Sequence, residues 1–265
     1  MLFMGGKGTW AKKIVAEIEP WRSPDDTLIE VCCGAANLTG LWTKNVVAID
    51  LNPALIAMWK AGQRGWKPPP REKITKELFN EIRENPDLNN PLTAFMLFGC
   101  SFRGQWAAGY ANRHWHSANR RFYDPVTTSI NGLLRKFERT RHGVEFVCAS
   151  YSYIKPLQNQ VIYIDPPYFG TRQTGISGDK RSGVPRFDHD KFWQCARQWN
   201  EQSARVFVSE ETAPNDFVRY RSWNAARSLG NWSEVDHNGS TKIESIWVHR
   251  DSEMVTKVRR HRRDK

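Results

Sequence analysis

The chain has no long apolar run. No stretch approaches the roughly 18 consecutive apolar residues that a membrane helix needs, and the longest candidate, residues 92–100, reads as a core helix. The amino terminus lacks the basic, apolar and small-residue regions of a signal peptide, so a cytoplasmic location is the expectation. Cysteine is scarce and unpatterned. Its five copies include no C-x-x-C pair, and the adjacent Cys32 and Cys33 cannot readily bridge each other, which excludes a disulfide framework and fits a reducing compartment. A Walker loop is missing too, because Gly5-Gly6-Lys7-Gly8 is too short for its glycine-to-lysine spacing. His114 and His116 have no cysteine or carboxylate cluster beside them at ligand spacing, so no metal is expected.

Basic charge is what the sequence has in excess. Its 39 Lys and Arg outnumber 28 Asp and Glu, giving a net charge of +11 in 265 residues. A pI near 9.6 and a mean hydropathy of −0.63 accompany it. Such a balance calls for an acidic partner, and nucleic acid leads, since phosphate neutralisation by Lys and Arg supplies most non-specific affinity. The plainer alternative is a basic protein that is merely well solvated. With 40% hydrophobic residues the chain can bury one large core, or a core carrying a sizeable insertion.

The most informative stretch is Val161-Ile162-Tyr163-Ile164-Asp165-Pro166-Pro167-Tyr168. Four apolar, mostly β-branched residues read as a buried strand, and the two prolines cannot donate to a ladder, so the strand must stop at Asp165. A carboxylate, a stiff turn and an aromatic ring are thereby left at a strand's carboxyl end, where open α/β sheets bind ligands. Upstream, residues 27–31 read as a strand that runs into Cys32-Cys33-Gly34-Ala35-Ala36 and then a helix over 37–42. Small residues at that turn allow a ligand close to the backbone. A second strand, 45–49, is closed by Asp50-Leu51-Asn52-Pro53, which places an acid where ribose hydroxyls bind. The series describes a nucleoside-binding half-sheet. Gly5-Gly6-Lys7 can bring backbone amides and a lysine to an anion, or is simply flexible chain.

Helices are expected over 54–60, 75–82, 93–98 and 135–141, with a further helical segment starting at 213–217. Asp188 should cap a helix whose apolar face carries Trp193, Ala196 and Trp199. Strands are expected over 144–148, 205–209 and 242–249. Between residues 101 and 143 aromatic and basic residues alternate with amides, as on a surface that tracks phosphates and contacts bases. Its candidates are Arg103, Gln105, Trp106, Asn112, Arg113, His114, Asn119, Arg120 and Arg121. The glycine-rich stretch 170–183 suits a lid or DNA-contacting loop, and the tail 251–265 is basic and without apolar pattern.

Taken in this order, the glycine-rich start, the small-residue turn, the acid after a strand and Asp-Pro-Pro-Tyr resemble the Dam-type, α-group DNA adenine-N6 methyltransferases. The likeness runs over nearly all of residues 4–250. It includes Phe102-Arg103-Gly104, Phe146-x-Cys148-x-Ser150-Tyr151 and Val206-Phe207-Val208-Ser209-Glu210. The resemblance implies a Rossmann-like, S-adenosylmethionine-dependent α/β fold with a mixed sheet. Residues 1–53 and 144–250 would form the catalytic domain and 54–143 a small, largely helical target-recognition insertion, while the basic composition of 251–265 predicts a disordered tail. It further implies catalytic roles for Asp165, Pro166, Pro167 and Tyr168. S-adenosyl-L-methionine would be held by Gly5, Gly6, Lys7, Glu30, Cys32, Gly34, Ala36, Asp50, Asn52, Ser150 and Tyr151. The implied partner is double-stranded DNA in a prokaryotic or phage-infected cell, with a cognate restriction endonuclease possible and a monomer expected. Ala35 and Ala36 stand where the family's turn usually carries glycine, and Cys32 where it often has an aromatic. The Phe-Asn-Val-Pro stretch that accompanies GATC recognition is absent, so that target is not implied. Methylation of RNA or another amino substrate, or a catalytically silent DNA-binding module, are the rival readings.

Overall fold

A computed structural model describes residues 1–43, 45–116, 120–169, 182–224 and 243–255. Asn119, residues 170–181 of the expected lid and residues 256–265 of the expected tail lie outside these. The strands are β1 (Leu28–Val31), β2 (Val46–Asp50), β3 (His114–His116), β4 (Arg121–Tyr123), β5 (Val144–Cys148), β6 (Val161–Ile164), β7 (Arg205–Ser209), β8 (Phe217–Asn224) and β9 (Ile243–His249). Seven of them form one sheet in the order β5-β2-β1-β6-β7-β9-β8. The pairs from β5 through β7 are parallel, whereas β9 runs antiparallel to both β7 and β8. The architecture is α/β with a mostly parallel, mixed seven-stranded sheet. Chain direction switches sides at β1, with β2 on one flank and β6 on the other, so a crevice opens beyond their carboxyl ends.

β6 shows why its sequence is continuously apolar: helices cover both faces of the sheet, so alternate residues bury in opposite directions. Val161 and Tyr163 pack with Ile14 and Ile18 of helix α1 (Ala11–Ile18). Ile162 and Ile164 pack with Phe192, Ala196 and Trp199 of α6 (His189–Glu201), whose Asp188 cap accepts from the Lys191 amide at 3.0 Å. A third cluster joins Ala48 of β2 and Phe146 of β5 to α2 (Pro53–Gln63), α4 (Pro91–Ala94), the π-turn Phe95–Gly99 and α5 (Pro125–Arg139). A shorter helix, α3 (Lys76–Glu84), sets Phe79 into the same cluster. Much of the expected insertion therefore shares its core with the sheet, while β3 and β4 stand out as an antiparallel hairpin.

Two expectations fail here. The helix expected over 37–42 is only a 3₁₀ turn, Thr39–Leu41. The Leu41 amide closes it on the Leu38 carbonyl, and Trp42 is already extended (ψ 149°) with its indole donating to Glu30 on β1; ahead of the turn the Gly34 and Ala35 carbonyls accept from Trp59 Nε1 (2.9 Å) and Lys136 Nζ (2.6 Å). The helical segment expected from 213–217 gives way to strand β8. Phe217 and Tyr220 bury at a helix-like spacing of three because a bulge between Arg219 and Arg221 shifts the register against β9.

Gly62 on α2 meets α5 so closely that a Cβ there would lie 2.2 Å from the Phe137 ring, itself flanked by Trp59 and Trp66. Alanine in a helix normally gains about 1 kcal/mol over glycine, but overpacking costs roughly 1–3 kcal/mol. Gly62→Ala is expected to lower the Tm in thermal denaturation, against its helix propensity; a raised Tm would show that this contact yields.

Candidate active site

Beyond the carboxyl ends of β1, β2 and β6 lies a cavity of about 560 Å³, within the usual size of small-molecule sites. One wall is the turn after β1, where Cys32, Gly34 and Ala36 take φ of +58°, +46° and +49°. Left-handed backbone costs a non-glycine residue roughly 1–3 kcal/mol, so neighbours must hold it. Asp50 does so from the end of β2: its Oδ2 accepts from the Gly34 amide (2.9 Å) and its Oδ1 from Asn52 (2.8 Å). Burial pushes the Asp50 carboxyl up, against the amides of Asn52, Gly34 and Leu51. Each oxygen has further acceptor capacity on the cavity side, which suits a vicinal diol.

The other wall is the β6 turn. The Asp165 amide closes the ladder on the Val31 carbonyl (3.3 Å), and Pro166 and Pro167 then end it. Lys7, only 5% exposed, reaches this point from the amino-terminal segment. Its Nζ lies 2.7 Å from Asp165 Oδ1, 3.7 Å from Glu244 Oε2 and 4.3 Å above the Tyr168 ring. Burial opposes the lysine's charge, but Asp165, Glu244 and Glu210 outweigh it and raise its pKa. The Tyr168 hydroxyl donates to Glu244 Oε1 at 2.9 Å. Glu210, at the end of β7, accepts from the Phe169 amide at 3.4 Å, and burial lifts its pKa to about 7.

Asp165, Pro166, Pro167 and Tyr168 all line this cavity, as do Gly5, Gly6, Lys7, Glu30, Cys32, Gly34, Asp50, Ser150 and Tyr151. Ala36 and Asn52 do not. Ala36 is turned into the helical core, and Asn52 caps α2 by accepting from the Leu55 amide, its Nδ2 without a partner among the described residues. The lining thus combines a turn that admits close approach to the backbone, a carboxylate with spare acceptor capacity at the end of β2 and another at the end of β6, a donor set that would suit a nucleoside bearing a positive charge.

Glu244 and Glu210 were not expected in the site. Glu210 obeys the same acid-after-a-strand pattern as Asp50. Glu244 does not, because it lies at the start of β9, and only that strand's reversed direction brings it to this edge of the sheet. Lys136 was missed as well; besides the Ala35 carbonyl it bonds Asn37 Oδ1 at 2.7 Å, and burial lowers its pKa to about 8.

Of the expected DNA-facing residues, Arg103, Asn112, Arg113, His114, Arg120 and Arg121 are exposed and Gln105 is half-buried. Trp106 is a correction: it is 2% exposed and packs on Phe98 with ring centroids 4.9 Å apart, since the chain turns inward between two exposed segments. On the hairpin, Trp115 and Phe122 are 54% and 62% exposed, touch edge to face at 5.3 Å, and Arg113 lies over Phe122. Among the described residues no group of three or more His, Cys, Asp or Glu could hold a metal ion, and no helix is long and apolar enough to cross a membrane. No protein-family model matches the chain, and no curated protein matches it significantly.

Glu30, on β1, is buried with its Oε2 accepting from Trp42 Nε1 at 2.7 Å; burial lifts its pKa from 4.5 to about 8, against the bond from Trp42. Between these values the folded chain keeps a proton that the unfolded chain releases, so the associated stability is complete below 4.5 and is lost as pH rises through about 8. Glu30→Gln keeps an acceptor for Trp42 without the ionisation. Its Tm is expected to fall less than the wild type's between about pH 5 and about pH 8; parallel Tm curves would overturn this account.

Proposed function

We propose that this chain transfers a methyl group from S-adenosyl-L-methionine to N6 of adenine in a double-stranded DNA sequence, acting on a base flipped out of the helix. The observation that carries the reading is that Asp165-Pro166-Pro167-Tyr168 opens on the same cavity as the Gly34 turn and the Asp50 carboxylate. A reacting-group motif and a nucleoside-type pocket thus share one space. The mixed sheet with its switch at β1 agrees with a Rossmann-like methyltransferase fold.

When bound, S-adenosylmethionine supplies a methyl group already activated by its sulfonium. The chain's task is to present the amine. Adenine N6 is a poor nucleophile because its lone pair is delocalised into the ring. Asp165 and the Pro166 carbonyl accept hydrogen bonds from the two N6 hydrogens, which holds the lone pair toward the methyl group. The same acceptors stabilise the positive charge that grows on nitrogen, and the extra proton that the methylated nitrogen would carry is then lost to water. The prolines bring no N–H to compete for those acceptors, and the Tyr168 ring stacks on the base. In a duplex N6 is paired, so the base must leave the stack to reach this cavity. Outside, the exposed arginines of the 103–121 segment suit phosphates, and Trp115 with Phe122 suits bases or sugars.

The direct test is tritiated S-adenosylmethionine offered with duplex DNA, RNA and protein side by side. Label in duplex DNA adenine is expected; label only in RNA or protein overturns the substrate. Asp165→Asn is expected to cut turnover by at least about 10²-fold while S-adenosylhomocysteine still binds, and unchanged turnover removes Asp165 from the chemistry. Replacing Arg113, Arg120 and Arg121 together with alanine should weaken DNA binding and shallow its log–log salt slope by roughly 2–3, near one per lost phosphate contact. An unchanged slope moves the DNA surface elsewhere.

A further inference from the structure

We propose that Glu244 is the positioning residue that holds the two ends of the Asp165–Tyr168 turn in one fixed geometry. The role rests on the methyl-transfer reading for its purpose but not for its geometry.

The turn needs such a holder. Its two prolines have fixed φ and no N–H, so neither can anchor the far end through the ladder. Tyr168 lies three residues beyond Asp165, and ring and carboxylate must nonetheless keep one relative placement. Glu244 reaches both ends with its two oxygens. Oε1 accepts from the Tyr168 hydroxyl at 2.9 Å, and Oε2 lies 3.7 Å from Lys7 Nζ, which holds Asp165 Oδ1 at 2.7 Å. The phenol oxygen lies on the ring's own axis, so that bond fixes where the ring tip sits. The Lys7 ammonium, 4.3 Å above the ring, adds a face contact.

Only a carboxylate does both jobs. An amide could accept from the tyrosine but could not balance the lysine's charge. Glu244 is 1% exposed, so its carboxylate is held by these partners and not by bulk solvent. It is also rigidly carried: β9 pairs with β7 through Val208↔Trp247 and Ser209↔Ile246, and the Glu210 amide donates to the Ser245 carbonyl at 3.3 Å. The holder therefore belongs to the sheet and not to a loop.

Two variants separate the contributions: Glu244→Ala removes both ties, whereas Glu244→Gln keeps an acceptor for Tyr168 and loses the charge facing Lys7. Steady-state methylation of duplex DNA and hydrogen–deuterium exchange of the peptide 161–169 are measured on the full chain. In Glu244→Ala, kcat is expected to fall about 10²-fold, the scale of a small misplacement of reacting groups. KM for S-adenosylmethionine should stay within about twofold and exchange at 168–169 should quicken. Glu244→Gln should lose roughly tenfold in kcat, the scale of one weakened charge-assisted bond, and it carries the test alone if the alanine variant does not fold. Wild-type kcat and wild-type exchange in the variants overturn the role, as does a loss confined to yield or Tm. A wild-type chain that labels no DNA, with exchange at 168–169 quickened in the variants, defeats the methyl-transfer reading and leaves the positioning role standing.

Discussion

A buried lysine sets the terms of this structure. Taking an ammonium out of water costs several kcal/mol unless it is matched, and removing one partner of such a pair typically costs about 3–5 kcal/mol. Lys7 is matched by Asp165 and Glu244, which come from the end of β6 and the start of β9. The pairing obliges the amino-terminal segment to lie across the sheet's carboxyl edge. That path is itself tightly set, because the Met4 amide donates to the Gly104 carbonyl and a Cβ on Gly104 would lie 2.4 Å from the Phe3 nitrogen. Gly104, at φ +68°, is a position where no side chain fits. One ion cluster thus draws together three segments far apart in sequence.

The strained turn after β1 shows the same dependence from the other side. Its left-handed residues are held by Asp50 from β2, Trp59 from α2 and Lys136 from α5. α5 has 15 residues, so it is roughly 22 Å long at about 1.5 Å per residue. Its first turn adjoins the hairpin that ends at Tyr123, capped by Asp124, which also pairs with Arg71 at 2.7 Å. Its last turns hold the cavity wall. The basic segment and the pocket are consequently joined by one rigid element, and the 54–143 segment is structurally part of the site it adjoins.

The parallel strands were legible because covered strands must be continuously apolar, and β6 and β7 obey that rule. Asp50 and Asp165 were legible because an acid directly after such a run marks a carboxyl edge. Other features depended on partners that sequence spacing does not reveal. The helix expected over 37–42 shrinks to one turn because Trp42 turns back to Glu30 on β1, and β8 disguises itself through a bulge. Trp106 looked like its exposed neighbours, yet it is the residue at which that stretch dips into the core. Glu244 was hidden by strand direction: the rule for strand ends fails for a strand that starts where the others finish.

Charge is distributed in two opposing ways, and each suits a different step of the proposed reaction. The chain carries +11 overall, and the exposed part of its 103–121 segment bears arginines. At the buried edge of the sheet the balance reverses, with Asp165, Glu210 and Glu244 gathered around one lysine. Burial lifts the Glu210 pKa to about 7. A phosphate brought there would meet carboxylates, whereas an amine gaining positive charge would be stabilised. The exposed arginines therefore suit a polyanion, and the Asp165 edge of the cavity, backed by the buried carboxylates, a developing cation. A neutral amino group carried on a phosphate backbone satisfies both fields only if it leaves its own charged frame outside, which is what flipping a base accomplishes.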